Sequence, residues 1–547
     1  MENWWKERLI YQIYPRSFQD SNGDGIGDIP GIISRLDELK DLGVGIIWLS
    51  PVYRSPDADN GYDIADYRAI DPKYGTMADM DKLLAEAKKR DIKIVMDLVI
   101  NHTSDEHEWF QKSRDKNSEY RDYYIWQPPK DGPGAPPSKK NRPNNWTSFF
   151  MGDAWEFDPQ SGEYYLHLFH KKQPDLNYKN PKVIEEIKGI LRFWLDKGVA
   201  GFRCDVINII YKTSLEDGKG KGVLPGMEYY VNQEGTHRIL QELRREVLDQ
   251  YDCFTVGETV MVDLPAAKLL CDESRRELNM LFYFDHLQVD RRLERYIPKK
   301  FRAGKLLAVL TKWQQGLEWN AVYLENHDQS RIVSHYGDDG EYWKASAKLL
   351  ATLEFTLRGT PFVYQGQEIG MTNFDFTGFD EVNDVETLNL SRLMKRFGLP
   401  KWLRWKWLKE SSRDNARTPV QWNAAANAGF TTGTPWLKIN HNYKQINYES
   451  QKNDPDSVLS FYKQLISLRA SSETLKYGGF KPLYTKGGII AYERAGVRGS
   501  ESYIVILNIS RKQGKAVFPG EIIISNTGRT EQTGTLLPYE ALVLRNK

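Results

Sequence analysis

Residues 80–102 read Met80-Asp81-Lys82-Leu83-Leu84-Ala85-Glu86-Ala87-Lys88-Lys89-Arg90-Asp91-Ile92-Lys93-Ile94-Val95-Met96-Asp97-Leu98-Val99-Ile100-Asn101-His102. In the first half, Met80, Leu83, Leu84 and Ala87 take the i, i+3, i+4, i+7 spacing of one helix face, with charges opposite. In the second, 92–100 is an apolar, β-branched run that finishes on Asn101 and His102. A helix feeding an extended run is part of a βαβ pattern, because parallel strands need a crossover between them. The alternation recurs outward in both directions. Further candidate strands are 9–13, 45–49, 200–206, 254–257, 280–284, 321–324 and 361–364, separated by stripes such as Ile33, Leu36, Leu39 and Leu42, or Ile184, Ile187, Ile190, Leu191 and Trp194. Eight such runs are what a closed parallel barrel needs, so the expected fold class is α/β, a (β/α)8 TIM barrel.

Two segments break the rhythm. Residues 103–175 contain a Pro, Gly, Lys and Asn-rich stretch and then the aromatic run Glu163-Tyr164-Tyr165-Leu166-His167-Leu168-Phe169, too long for a βα loop, so an inserted small domain is expected after strand 3. Residues 372–435 interrupt again, with many charges and four Trp. From 478 short strands alternate with turns and no helical stripe appears, the pattern of a C-terminal antiparallel β-sandwich. The expected organisation is a barrel of 1–102 and 176–477 with a subdomain at about 372–435, an inserted domain at 103–175 and a terminal domain at 478–547.

Composition narrows the function. The 547 residues carry 75 Lys and Arg against 74 Asp and Glu, a net charge of +1 that gives no support for nucleic acid or an anionic membrane as the main partner. Cys204, Cys253 and Cys271 are too few for a disulfide framework and lack metal-ligand spacing, which points to a reducing compartment. The first residues do not resemble a signal peptide and no stretch approaches about 20 apolar residues, so a cytoplasmic monomer acting on a small molecule is the expectation. Aromatic residues make up 12% of the chain, enough to line sugar-stacking walls as well as a core.

Polar groups collect at the C-terminal ends of several candidate strands, where barrel enzymes place their active sites. They are Asp97, Asn101 and His102; Arg203 and Asp205; Glu258; and Asn326, His327 and Asp328. Acids grouped in an apolar mouth cost desolvation and repulsion, and such clusters usually mark function. Two carboxyls facing one bond, one ionised and one protonated, are what acetal cleavage requires. Asp205, two residues from Arg203, suits a nucleophile whose pKa the guanidinium lowers; Glu258, after the apolar run 254–257, suits a proton donor. Asp328 beside His327 is placed to bind sugar hydroxyls as the ring distorts.

These residues resemble the motifs of the retaining α-glycosidases of the α-amylase superfamily: Asp97-Leu98-Val99-Ile100-Asn101-His102, Gly201-Phe202-Arg203-Cys204-Asp205-Val206, Val256-Gly257-Glu258 and Glu325-Asn326-His327-Asp328. The resemblance implies that Asp205 is the nucleophile, Glu258 the acid/base and Asp328 the transition-state stabiliser, with Tyr62, Asp63, His102, Arg203, His327 and Arg417 around the innermost glucose and Phe169 in the binding wall. The run Gln173-Pro174-Asp175-Leu176-Asn177 is similar to that of the oligo-1,6-glucosidase and dextran glucosidase branch. There Val after the nucleophile, here Val206, goes with α-1,6 preference, whereas maltases carry a smaller or polar residue. Sucrose isomerases share nearly all of this, but their Arg/Asp-rich loop is matched only partly by 285–292. Catalytically inactive relatives serve as transporter ectodomains; they need a transmembrane helix and usually lose the acids kept here.

The loop Asp20-Ser21-Asn22-Gly23-Asp24-Gly25-Ile26-Gly27-Asp28 spaces oxygen donors at alternate positions with glycines for tight turns, as a hard cation needs, although position twelve is Gly31 and not the Glu of an EF-hand. The resemblance implies a structural Ca²⁺ held by Asp20, Asn22, Asp24 and Asp28 side chains and the Ile26 carbonyl. A metal-free Asx turn is the alternative.

Overall fold

The computed structural model describes residues 3–220, 224–292, 297–497 and 499–546. Its centre is eight parallel strands: β1 Leu9–Ile13, β2 Val44–Leu49, β3 Lys93–Leu98, β4 Gly201–Cys204, β5 Phe254–Glu258, β6 Met280–Phe282, β7 Ala321–Tyr323 and β8 Thr360–Tyr364. They hydrogen-bond in the order β6-β5-β4-β3-β2-β1-β8-β7. Each strand thus lies beside its neighbour in sequence, and β8 pairs with β1, as a barrel requires. The turn of the barrel between β6 and β7 is closed by side chains: the Phe282 and Tyr323 rings lie 4.9 Å apart and the Tyr323 hydroxyl donates to the Tyr283 carbonyl at 2.8 Å. β1, β2 and β8 are buried at every residue, which is why they read as continuous apolar runs.

Between β3 and β4 a small three-stranded antiparallel sheet, Trp126–Gln127, Glu163–Leu166 and Trp155–Asp158, stands over one side of the barrel mouth. Bridges His102 to Asp175 and Tyr124 to Leu176 tie its two ends together. After β8 comes a helical hairpin, Val385–Arg396 and Lys401–Leu408.

The C-terminal strands β9 Gly479–Lys486, β10 Ile489–Ala495, β11 Ser502–Asn508, β12 Glu521–Ser525 and β13 Ala541–Asn546 form one antiparallel sheet in the order β9-β10-β11-β13-β12. Its two faces follow the period-2 alternation. Ile490, Tyr492, Val505, Leu507 and Val543 join the core of the barrel, whereas Ile489, Ile504, Ile506, Leu542 and Leu544 form a separate outer cluster. The second layer is slight, a two-stranded ribbon of Gly514–Lys515 with Thr535–Leu536, whose Leu536 fills the outer cluster. Among the described residues no helix is long and apolar enough to cross a membrane.

Candidate active site

Register brings the central charges together. Asp97 on β3 pairs with Arg203 on β4, which pairs with Val256 on β5, two residues before Glu258. The Arg203 guanidinium lies 2.5 Å from Asp97 Oδ1, 2.6 Å from Asp205 Oδ1 and 2.7 Å from Glu258 Oε2, and it is almost fully buried. One cation thus faces three carboxyls, so full ionisation would leave a net charge of −2 and favours a proton on one of the acids. Burial outweighs Arg203 in each acid: Asp205 is raised to about 6 and Glu258 to about 8, and Glu258 is pushed further by the charges of Asp205 and Asp328. Arg203 does lower Asp205, as expected, but desolvation is the larger effect and carries the net shift upward, while Glu258 stays the more basic of the two acids. The two carboxyls lie side by side on the one guanidinium, Asp205 on its Nη1 and Glu258 on its Nη2, and each shifts the other's pKa.

Asp328, past the end of β7, is held from behind. Arg417 Nη2 lies 2.6 Å from its Oδ1, Arg413 Nη1 3.5 Å, and the Asp328 amide donates to Asn326 Oδ1 at 2.8 Å. His327 is neutral, its pKa lowered to about 3 by burial. It is stacked between Tyr62 at 5.2 Å and Tyr14 at 6.1 Å, with its Nδ1 2.8 Å from Gln12. Its buried Nε2 makes no hydrogen bond, though Asp328 lies 3.3 Å away. His102, lowered to about 4 by burial, has its Nε2 3.1 Å from the Tyr62 carbonyl and 3.0 Å from Gln173 Nε2.

These groups open into a cleft of about 240 Å³ lined by Tyr62, His102, Phe169, Asp205, Val206, Glu258 and Asp328 among the residues expected from sequence. Phe149 stacks on Phe169 at 5.1 Å and Phe150 meets it edge-on at 5.5 Å, making the aromatic wall. Arg203 and Arg417 lie beneath the cleft and grip its acids. Asp63 is not brought to it. The side chain is fully buried and accepts from Ser55 Oγ at 3.0 Å and from the Ala58 and Asp59 amides at 2.7 and 3.0 Å, so it closes the turn that carries its neighbours.

The acid that does line the cleft from this turn is Asp59, raised to about 7 by burial and facing Arg413 at 3.6 Å and Gln173 Nε2 at 3.1 Å. Two Asp four residues apart in a turn-rich run, one of them free to cap its own amides, was the available signal. Arg413, Phe149 and Phe150 gave none, since their partners come from distant segments.

Val206 departs from the reading of 200–206 as a strand. β4 ends at Cys204, and Val206 adopts φ 36°, ψ 40°, opening a short 3₁₀ turn at Ile207–Ile209. A β-branched residue in the left-handed region is a genuine outlier. Strand alternation no longer applies, so the side chain turns into the cleft wall beside Asp205, packed with Tyr230, Phe169 and Val260, while its amide donates to Glu258 Oε2 at 3.3 Å.

The loop 20–28 lies away from this cleft. Asp20 accepts from the amides of Asn22, Gly23 and Gly25 at 2.9, 2.8 and 2.8 Å, Asn22 from Asp24 at 2.8 Å, Asp24 from Ile26 at 2.8 Å, and Asp28 from Ser21 at 3.1 Å. Gly25, sixth in the loop, has φ +90°, and a Cβ there would meet the Thr434 carbonyl at 1.8 Å. That donor set of hard oxygens and that glycine fit a cation loop. The three Asp do not converge as folded: among the described residues the one metal-ligand trio within reach of a common ion is Glu185, Glu242 and Glu246, whose centre is taken by Lys188 Nζ at 2.6–2.7 Å from each.

Comparison with known proteins agrees with this geometry. Residues 12–478 match the catalytic domain of α-amylase. The chain is 51% identical over 530 residues, 95% of its length and 93% of the relative's, to an oligo-1,6-glucosidase of Parageobacillus thermoglucosidasius. Among solved structures it resembles the trehalose-6-phosphate hydrolase of Bacillus licheniformis, with 43% identity, 99% of both chains covered and a TM-score of 0.92. It also resembles the trehalulose synthase of Pseudomonas mesoacidophila, with 41% identity, all of both chains covered and a TM-score of 0.94. With the barrel, the carboxyl pair at its mouth and a match over most of the sequence, the chain belongs to the α-amylase family and is a glycoside hydrolase.

Proposed function

We propose that this protein is a retaining α-glucosidase that removes glucose from the non-reducing end of isomaltose and short isomalto-oligosaccharides. The observation that carries the mechanism is the pair of Asp205 and Glu258 held on the two nitrogens of one Arg203 guanidinium. In inverting enzymes a water fits between carboxyls roughly 6.5–9.5 Å apart, whereas acids sharing one guanidinium suit the narrower gap of roughly 5–5.5 Å at which the carboxylate itself attacks. Glu258, the more basic acid, gives its proton to the glycosidic oxygen as Asp205 bonds to the anomeric carbon and the aglycone leaves. Glu258 then takes a proton from water, which attacks that carbon and releases Asp205, restoring the α configuration. Asp328 and His327, whose Nε2 lacks a hydrogen bond, face the hydroxyls of the distorted ring.

Asp59, Arg413 and His102 line the cleft, with buried Gln173 bonded behind Asp59 and His102, a closed polar wall that favours an exo mode. Among the described residues the lining contains the acids Asp59, Asp205, Glu258, Asp285, Asp328 and Glu386, and one Lys or Arg, Arg413, which is engaged by Asp384 at 2.8 Å. A phosphorylated disaccharide would meet that negative field, so the neutral sugar is the preferred substrate. The α-1,6 linkage rests on Val206 in the wall and on the similarity to the oligo-1,6-glucosidase. For the loop 20–28 we propose a structural hard cation, taken up when the exposed Asp24 turns inward.

The test is a product time course on isomaltose, maltose, sucrose, trehalose and trehalose 6-phosphate, with NMR of the first anomer. Isomaltose is expected to be cleaved fastest, with α-glucose appearing first. Faster cleavage of maltose would make the protein a maltase, conversion of sucrose into an isomeric disaccharide would make it an isomerase, and β-glucose would overturn double displacement.

A further inference from the structure

The chain-wide charge balance conceals a strong local imbalance in the helical hairpin at the cleft's edge. Residues 391–409 hold seven Lys and Arg and no Asp or Glu. The apex follows from local chemistry. The first helix ends in a Schellman-type turn, with Gly398 at φ +81°, its amide donating to the Lys395 carbonyl and that of Leu399 to Met394. Pro400 then starts the second helix. The inner side is anchored: Leu390 and Leu408 pack with Met151, Phe379 and Met394, and Asn389 donates to the Phe150 carbonyl at 3.2 Å. The apex has no such cover. Phe397 is 76% exposed and Trp402 67%, the two most exposed large apolar side chains among the described residues. Lys395, Arg396, Lys401 and Lys406 surround them, exposed and without an ion pair among the described residues.

We propose that this apex docks the protein on a bilayer surface rich in anionic phospholipid. Two large, highly exposed rings at a hairpin apex with cations set around them match the chemistry of the headgroup layer, where aromatic rings sit at the interface and Lys and Arg face lipid phosphates. A nucleic acid is the poorer fit, because single-strand binding lines a positively charged groove with its stacking rings, whereas Phe397 and Trp402 stand out at the turn itself. Docking there presents the cleft beside the hairpin to solutes at the membrane face and requires no spanning helix.

The experiment is co-sedimentation of the full chain with phosphatidylcholine vesicles, with and without about 30% phosphatidylglycerol, at about 0.1 M and about 0.5 M salt. Binding is expected only to the anionic vesicles, weakening at high salt. Phe397→Ser with Trp402→Ser, and separately Lys395→Glu with Lys401→Glu, should each lower partitioning at least about tenfold while isomaltose hydrolysis in solution is unchanged. Equal binding to neutral vesicles, binding that survives both double variants, no vesicle binding by the wild type, or tighter binding to an RNA homopolymer under the same salt would overturn the proposal.

Discussion

At the scale of single residues the chemistry rests on one guanidinium shared among three buried carboxyls. Activity needs Asp205 ionised and Glu258 protonated. With the two acids held at about 6 and about 8, kcat/KM for isomaltose should rise as pH passes upward through about 6 and fall as it passes through about 8, the values belonging to the coupled pair. Asp205→Asn or Glu258→Gln should each lower kcat about 10²-fold or more with an unchanged circular dichroism spectrum; retention of a tenth of the rate would displace either residue from its role. Val206 carries the linkage argument at the same scale. With its two methyls in the wall beside the nucleophile, Val206→Ala should raise maltose turnover relative to isomaltose by about 1–3 kcal/mol of discrimination, measured as the ratio of the two kcat/KM values. Read as a strand residue, Val206 would point away from the nucleophile's face and only press its bulk on the acceptor wall; it lines the cleft instead, because a left-handed turn inside a β-branched run leaves no compositional mark. It named Asp63 where Asp59 lines the cleft, because which of two nearby acids caps the turn is decided by backbone geometry.

At the scale of elements, strand order and register do the positioning. Arg203 reaches Asp97 and Glu258 because β3, β4 and β5 are adjacent and in step, and this part was legible: parallel strands buried on both faces read as unbroken apolar runs, and the eight candidate runs agree with β1–β8 to within a few residues at their ends. The seam between β6 and β7 was not legible, since both strands are short and close through Phe282, Tyr283 and Tyr323 rather than through a ladder. The loop between β1 and β2 yields a separate prediction. Its oxygens are tethered by backbone amides, so a cation there acts on stability alone. Ca²⁺ should raise the melting temperature over that in chelator by about 1 °C, the shift that about 1 kcal/mol of mass action at a few times the dissociation constant gives in a chain of this size. Asp24→Ala should abolish the difference and leave kcat as it was. An equal melting temperature with and without chelator would assign the loop to a metal-free turn.

At the scale of the whole molecule, the terminal sheet is joined to the barrel by a buried cation that has no carboxylate partner among the described residues, and a second such cation gathers carbonyls on the barrel side of the seam. Arg494 on β10 is fully buried, and its guanidinium donates to the carbonyls of Leu475 at 3.1 Å, Thr474 at 3.0 Å, Gly478 at 2.7 Å and Gly479 at 3.3 Å, and to that of Thr356. Arg469 does the same for Phe355 at 2.9 Å and Leu357 at 2.7 Å. These carbonyls cluster at and just beyond the ends of the helices Trp343–Thr356 and Glu473–Tyr477, where helices leave acceptors unsatisfied and the dipole is negative. A helix-rich barrel ending beside a sheet thus supplies the partial charge that an ion pair would otherwise supply, an arrangement that sequence could not disclose because neither Arg has an acidic partner to be paired with. Arg494→Leu leaves several buried acceptors without donors, so it should destabilise the protein by about 2–5 kcal/mol in chemical denaturation. Arg494→Lys, which keeps the charge but not the five-donor fork, should recover only a small part of that loss. Because Arg494 touches no residue of the cleft, kcat of the folded fraction should stay at the wild-type value in both variants. A fall in kcat without a fall in stability would show that the sheet communicates with the active site and is more than a support for it.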